Sequence, residues 1–534
     1  MDQPTLPSLT SQWIAELDDI YPDALLRPFA STFLGRLPPE LVEIIIGYIS
    51  PPGLPAVART HSMLRSLAER RLYREIKIPH RESGQAKMQT KGKDLWPLCR
   101  TLYERPDLAR RIKSLQLIAW SNIHPIPASD LLSTAFSSSS ASPTMLDEAA
   151  ITGHILGRAS QLDFLILGFY QRNPGNNSYS HPRLMASCLS KAFPGFQSLS
   201  TTATIPSGFE NIRFLHYAGS EWHWIMGQSC HLDTITLERV ANFLPDGVPD
   251  EVNPKVKRIE LNCCSAILNP EAEGFVHFPA FLAHFPELES LELRIYDEPR
   301  SWNESSNDIG PHRLGSYSHL VSCLDAVAHG LNELRIPLTL YNEDERPDYT
   351  LYALPASSFL NFSNLGHPGV PYVCLFGSVD AQWSHIMRSM EEIIPPSLKS
   401  LTIFHPRIGI FDWLMQLRFY RKQLPSLNYV DLYIHSVYGD SYEEFVFISH
   451  PHPVLSVAAS LDVELSYLNL SDWHEPWDDY DLELWDHLTW FDSFGFDCDG
   501  IKLTSPRSLA AAWQVDNDMK ATLWKYNLEG GPWL

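Results

Sequence analysis

The first sustained pattern along the chain is helical. From Leu37 the apolar residues Leu41, Ile44, Ile45, Tyr48 and Ile49 recur at three- and four-residue spacing. Pro38 and Pro39 stand at the start, where a missing N–H costs nothing, and Ser50-Pro51-Pro52-Gly53 stops the helix. Shorter helical stretches follow around Leu54–Thr60 and Ser62–Leu72, and Glu75-Ile76-Lys77-Ile78 reads as a strand. Val42 and Ile46 add a second apolar row to the first helix, giving it more apolar surface than three short helices can cover. The excess must be buried, either under later chain or against a partner.

Beyond a polar, basic connector the grammar changes to apolar-x-x-apolar-x-apolar. Examples are Ile112/Leu115/Leu117, Leu162/Leu165/Leu167, Leu232/Ile235/Leu237, Val256/Ile259/Leu261, Leu288/Leu291/Leu293, Leu398/Leu401/Ile403 and Leu427/Val430/Leu432. Chance alone gives about 45 such triplets in a chain that is 44% apolar, so the bare pattern decides nothing. A proline two positions ahead of a leading Leu is expected about once, yet Pro286, Pro396 and Pro425 each open such a block. The logic is physical: a helix stops at the proline and a short strand begins. First positions fall at 112, 162, 212, 232, 256, 288, 331, 370, 398 and 427. The stretches Ser137–Ser140, Arg172–Pro182, Pro245–Pro254, Asp297–Arg313 and Asn342–Tyr349 read as surface loops.

With 534 residues, 44% apolar and 11% aromatic, the chain can fill the cores of two or three domains. No apolar run approaches the roughly 18–20 residues of a membrane span. The start, Met1-Asp2-Gln3-Pro4, has no secretory pattern, so the sequons at Asn176, Asn303, Asn361 and Asn469 are read as chance. Eight cysteines without a Cys-x-x-Cys pair point to reduced thiols in the cytoplasm or nucleus, with Cys263-Cys264 buried behind a strand.

The net charge of -22 argues against general nucleic-acid binding. The average conceals an asymmetry. Residues 59–113 hold fifteen Lys and Arg against six Asp and Glu, a local +9, which leaves -31 on the other 479 residues. This basic stretch reads as a solvated face, a nucleic-acid contact or a site for an acidic protein. Residues 462–499 hold twelve acids and no Lys or Arg, interleaved with Trp473, Trp477, Trp485 and Trp490. The segment reads as an end cap or as a docking site for a basic target.

Local catalytic signatures are absent: there is no Gly-x-Gly-x-x-Gly, no Walker loop, no His-Glu-x-x-His and no Gly-x-Ser-x-Gly. Among twenty-one histidines, His450-Pro451-His452 and Asp472-Trp473-His474 are unremarkable as metal ligands. No cofactor, metal or catalytic residue is assigned.

Leu37-Pro38-Pro39-Glu40-Leu41-Val42-Glu43-Ile44-Ile45, continued by Leu54, Leu64, Leu67-Ala68 and Leu72-Tyr73-Arg74-Glu75-Ile76, resembles an F-box of the fungal type. It departs from the family at Thr60-His61, where Val-Cys is common, and at Leu64, where Trp or Phe is common. The later triplets resemble the irregular leucine-rich-repeat-like region that often follows a fungal F-box, without its regular Asn ladder, Cys264 being the one residue placed there. Only four of the nine steps between first positions fall within 20–29 residues.

The fold class expected is therefore α/β, a small helical F-box followed by an irregular leucine-rich-repeat-like α/β solenoid. The domains are a lead-in at 1–33, the F-box at 34–78, a basic connector at 79–105, the solenoid at 106–440 and an acidic Trp-rich cap at 441–534. The resemblance implies a non-catalytic substrate-recruiting subunit of an SCF-type ubiquitin ligase, which binds a Skp-family adaptor, and through it a cullin, and holds a target protein. Adaptor binding falls to Leu37, Pro38, Leu41, Ile45, Ile49, Leu54 and Leu64, shared with burial inside the module. Substrate docking, for a target with a basic surface, falls to Trp477, Asp478, Asp479, Asp481, Glu483, Trp485 and Asp486. The alternatives are a non-ligase interaction scaffold with a drifted F-box, and an F-box fused to an unrecognised enzyme. No membrane and no nucleic-acid partner is expected.

Overall fold

A computed structural model describes residues 34–50, 53–78, 92–121, 126–127, 145–146, 148–171, 183–184, 209–218, 231–240, 243, 255–296, 315–337, 354–377, 388–434 and 452–469. The five loops expected from the sequence and the acidic Trp-rich residues beyond 469 lie outside them. The fold is mixed α/β with parallel sheet, and the chain divides into two compact units, Met1–Leu215 and His216–Leu534.

Unit one opens with helices α1 (Pro39–Gly47), α2 (Leu54–Thr60) and α3 (Ser62–Arg74), where the apolar spacing predicts them. The second row of α1, Val42 and Ile46, fills the core with Leu54, Met63, Leu64 and Ala68. His61 ends α2 in extended conformation, and its Nδ1 accepts the Met63 N–H at 3.2 Å, capping α3.

Strand β1 (Glu75–Lys77) runs straight out of α3 and pairs in parallel with β2 (Ser114–Ser121), Ile76 opposite Leu115. The intervening chain holds a helix that the sequence pattern presents as connector. It is α4 (Gly92–Glu104), followed by the one-turn α5 (Pro106–Ala109). Its signal is Leu95, Cys99 and Leu102, one buried stripe at helical spacing. Helix α6 (Glu148–Arg158) leads to β3 (Phe164–Gln171), which pairs with β2, and the boundary between the units runs through β4 (Phe214–Ala218).

In unit two the strands are β5 (Thr234–Val240), β6 (Arg258–Cys264), β7 (Ser290–Tyr296), β8 (Glu333–Arg335), β9 (His367–Pro371), β10 (Ser400–Phe404), β11 (Tyr429–Ile434) and β12 (Glu464–Asn469). Each pairs in parallel with the next, so spatial order is chain order, and the sheet does not close on itself. The register aligns Ile235, Ile259, Leu291, Leu334 and Pro368, and separately Leu401, Val430 and Leu465. Alternation then sends Leu237, Leu261, Leu293, Val370, Ile403, Leu432 and Tyr467 to the same apolar face, all buried. Short helices such as α7 (Phe278–Ala283) and α8 (Tyr317–Cys323) connect the strands. Phe243, Phe275, Phe278, Phe281 and Phe285 pack around α7 with neighbouring centroids 4.8–6.4 Å apart.

Two details depart from the expected frame. The sequence starts a triplet at Val370, but the buried lead is Leu365, because Pro368 occupies the inward position and breaks the apolar triplet. A further strand, β12, lies within the span assigned to the cap; Asp462, at φ 57, precedes Val463, Leu465 and Tyr467, which are buried.

The described cysteines, Cys99, Cys263, Cys264, Cys323 and Cys374, are buried. Burial pushes the Cys99 thiol up to about 12 and Cys323 to about 11, and raises Cys263 and Cys374 strongly. Cys264, at the position given to an Asn ladder, accepts the Ala266 N–H on its Sγ at 3.4 Å.

Leu293→Ala, at the centre of the buried column, should cost about 3 kcal/mol in denaturant unfolding. Peptide-resolved alkylation should leave Cys99, Cys263 and Cys374 unmodified in the native protein and label them after denaturation, since the reactive species is the thiolate.

Candidate functional site

Two surfaces carry more than packing requires. The first is the outer face of α1. With Val42 and Ile46 turned into the core, the row one position round the helix faces outward: Leu41 is 44% exposed, Ile44 54%, Ile45 41% and Tyr48 87%. Four large apolar side chains at i, i+3, i+4 and i+7 form one stripe.

Of the seven residues assigned to adaptor binding, Leu41, Ile45 and Pro38 are exposed. Leu37 and Ile49 are half-buried against the helical core, and Leu54 and Leu64 lie inside it. Ile44 and Tyr48 belong to the exposed stripe but not to that set. Their signal was present, since they sit in the same helical row as Leu41 and Ile45. The seven residues assigned to substrate docking, Trp477 to Asp486, lie outside the described residues.

The module is held to the first strands by charge as well as by β1. Glu69 of α3 accepts from Arg65 at 2.9 Å and from Arg105 at 3.2 Å, and Arg105 also pairs with Asp107 at 2.8 Å. Burial alone would raise the Glu69 carboxyl, but the two arginines outweigh it and hold it below its ordinary value.

The second surface is the polar face of the strands in unit two. Residues one position from the apolar column form a row: Thr236, Glu260, Glu292 and Arg335 on β5 to β8. Glu260 and Glu292 stand side by side, which is unfavourable for like charges unless cations intervene. Arginines do so: Arg258 pairs with Glu260 at 2.7 Å, Arg294 with Glu292 at 2.7 Å, and Arg335 approaches Glu292 at 3.9 Å. Glu292 is buried; desolvation pushes its pKa up, but Arg294, Arg335 and Arg258 together hold it below its ordinary value.

Beside this row, Asn262 donates to Glu238 at 2.7 Å, and His216 Nε2 lies 3.6 Å from the same carboxylate. Burial, reinforced by the Arg294 guanidinium, pushes the His216 imidazole down to about 3, so the contact is between a neutral ring and a carboxylate. Further along, Ser290 donates to Glu333 at 2.9 Å, and His367 Nδ1 meets Ser400 Oγ at 2.8 Å. A Cβ at Gly369 would stand a tight 3.3 Å from the Phe404 ring and in ordinary contact, 3.5 Å, with Arg335 Cγ. The Arg335 guanidinium lies 6.0 Å from the Phe404 ring centroid.

Of the histidine pairings considered as metal ligands, His452 instead meets Asp412 at 3.2 Å and caps Val454. His450, Asp472 and His474 are outside the described residues, and among the described residues no three His, Cys, Asp or Glu gather in a metal-like group. Among them, too, no helix is long and apolar enough to cross a membrane.

No family model matches the chain, and no curated protein matches it.

The pH response of the polar face has a definite sign. Between about 3 and the ordinary imidazole value near 6.5, the unfolded chain binds a proton at His216 that the folded chain refuses. Stability is therefore lost as pH falls below that ordinary value, by about 2 kcal/mol at about pH 5 from this one residue. His216→Gln should flatten that slope in urea unfolding compared at about pH 7 and about pH 5.

Proposed function

We propose that the chain is a substrate-recruiting F-box subunit of an SCF-type ubiquitin ligase. In this reading α1 to α3 are the F-box, and the strands in chain order are an irregular leucine-rich-repeat-like solenoid that holds a target protein. The F-box binds a Skp-family adaptor, which bridges to a cullin, so the subunit recruits without catalysing and needs no cofactor. It works in the cytoplasm or nucleus.

The observation that carries the reading is the stripe Leu41, Ile44, Ile45 and Tyr48, exposed on a helix whose own core is already filled by Val42 and Ile46. A short helix gains nothing in water from a second apolar face, whereas a partner groove would bury it. The departures at Thr60 and His61 also have a local role compatible with an intact module. Thr60 Oγ1 donates to the Val57 carbonyl at 2.7 Å, and His61 caps α3.

The test uses the full chain. Leu41→Asp combined with Ile45→Asp should weaken capture of a purified Skp-family adaptor by a few kcal/mol, while the melting temperature falls little, because neither side chain belongs to the helical core. Val42→Asp, by contrast, should unfold the module. Failure of the unaltered protein to retain the adaptor, where a control receptor does, sinks the reading.

A further inference from the structure

We propose that the C-terminal turn of α3 and the turn entering β2 form a docking site for an acidic, Asp- and Glu-rich segment of a partner protein. Arg71 and Arg74 occupy the last turn of α3, both exposed. Arg110 and Lys113, also exposed, lie on the turn between α5 and β2. The two turns abut: the Lys113 N–H donates to the Arg74 carbonyl at 2.9 Å, and the Arg111 guanidinium donates to the Ser66 carbonyl at 3.2 Å.

What separates these cations from an ordinary solvated face is their lack of acid partners. Nearby cations are paired: Arg65 and Arg105 with Glu69, Arg70 with Glu43, Lys77 with Glu75, and Arg100 with Glu104. Among the described residues no carboxylate lies within ion-pair distance of Arg71, Arg74, Arg110 or Lys113. The helix dipole accounts for Arg71 and Arg74, but α5 is a single turn with little dipole to offer Arg110, and Lys113 lies past it. The chain has acids in excess, yet it carries +9 over residues 59–113 and -31 elsewhere. None of the four has a carboxylate among the described residues, Lys113 donating only to the Gln161 amide oxygen at 3.1 Å, and an acidic ligand would supply the missing counter-charge.

The occupant is protein rather than nucleic acid because of extent. A duplex is a continuous polyanion whose affinity rests on many phosphate contacts, and four cations supply too few of them. A short acidic segment ends where the cations end. The surface is separate from the α1 stripe, although the Arg70–Glu43 pair at 3.6 Å makes them neighbours, and it does not depend on what α1 binds.

The experiment measures a fluorescent Glu-rich peptide, and a DNA duplex of matched charge, against the full chain at low and high salt. Arg71→Gln with Arg74→Gln and Arg110→Gln should weaken peptide binding about tenfold, at a few tenths to one kcal/mol per exposed pair. Arg36→Gln with Arg59→Gln and Lys422→Gln, an equal loss of charge elsewhere, should leave it unchanged. Should the first combination melt early, Arg110→Gln with Lys113→Gln confines the change to the turn and should weaken binding about threefold. Leu41→Ser with Ile45→Ser, which adds no charge beside the patch, should keep peptide binding while losing the adaptor, which separates this site from the F-box reading. Absence of peptide binding at low salt, equal weakening by the control combination, loss of peptide binding in the α1 variant, or tighter binding of the duplex would each overturn the proposal.

Discussion

At the entrances to seven of the strands one backbone carbonyl accepts N–H groups from two successive residues of the next strand. Lys113 receives Asp163 and Phe164, and Asp163 receives Arg213 and Phe214. In unit two Asp233, Lys257, Glu289, Asn332 and Gly366 do the same for the strands after them. Since a one-residue slip would turn every side chain to the opposite face, fixing the first residue fixes the whole column. The chain between entrances is then free to vary. Paired residues Ile235 and Ile259 are 24 positions apart, while Leu115 and Leu165 are 50 apart, and both pairs are buried. Longer excursions cost little, because closure entropy grows only logarithmically with loop length.

This division explains what could be read from the sequence. The three opening helices are legible because prolines and a helical period mark them. Most triplets are legible because apolar residues fill both inward positions. The frame fails at β9, where Pro368 stands inward and contributes shape without looking like a core residue, and at β12, where Asp462 precedes the strand amid acids. Helix α4 is missed because Pro97 stands inside it, where the sequence reads a break, and its buried stripe is only three residues long.

The candidate surfaces were less legible, for a reason rooted in packing. On α1 two apolar rows lie side by side, and only assembly decides that Val42 and Ile46 go in while Leu41, Ile44, Ile45 and Tyr48 stay out. The polar face of unit two is harder still. Glu260, Glu292, Arg294 and Arg335 are scattered over three strands and become neighbours only through register, which no local pattern encodes. Glu292 and Arg294 share one strand, so breaking their pair would leave a buried charge, while Arg335, at 3.9 Å, is what meets Glu292 from the next strand.

The short β1 ties the opening helices to the first strands of the sheet. Because β1 is the hydrogen-bonded neighbour of β2, and Ile78 adds its N–H to the Gln116 carbonyl, the helical module is also the lid on one edge of a parallel sheet. A proteolytic cut after residue 78 would not release two self-sufficient pieces if the fragments separated. It would leave β2 with a bare row of backbone donors and acceptors beside buried Leu115 and Leu117, a template for another chain's strand. Loss of the module would then be felt as self-association of the remainder.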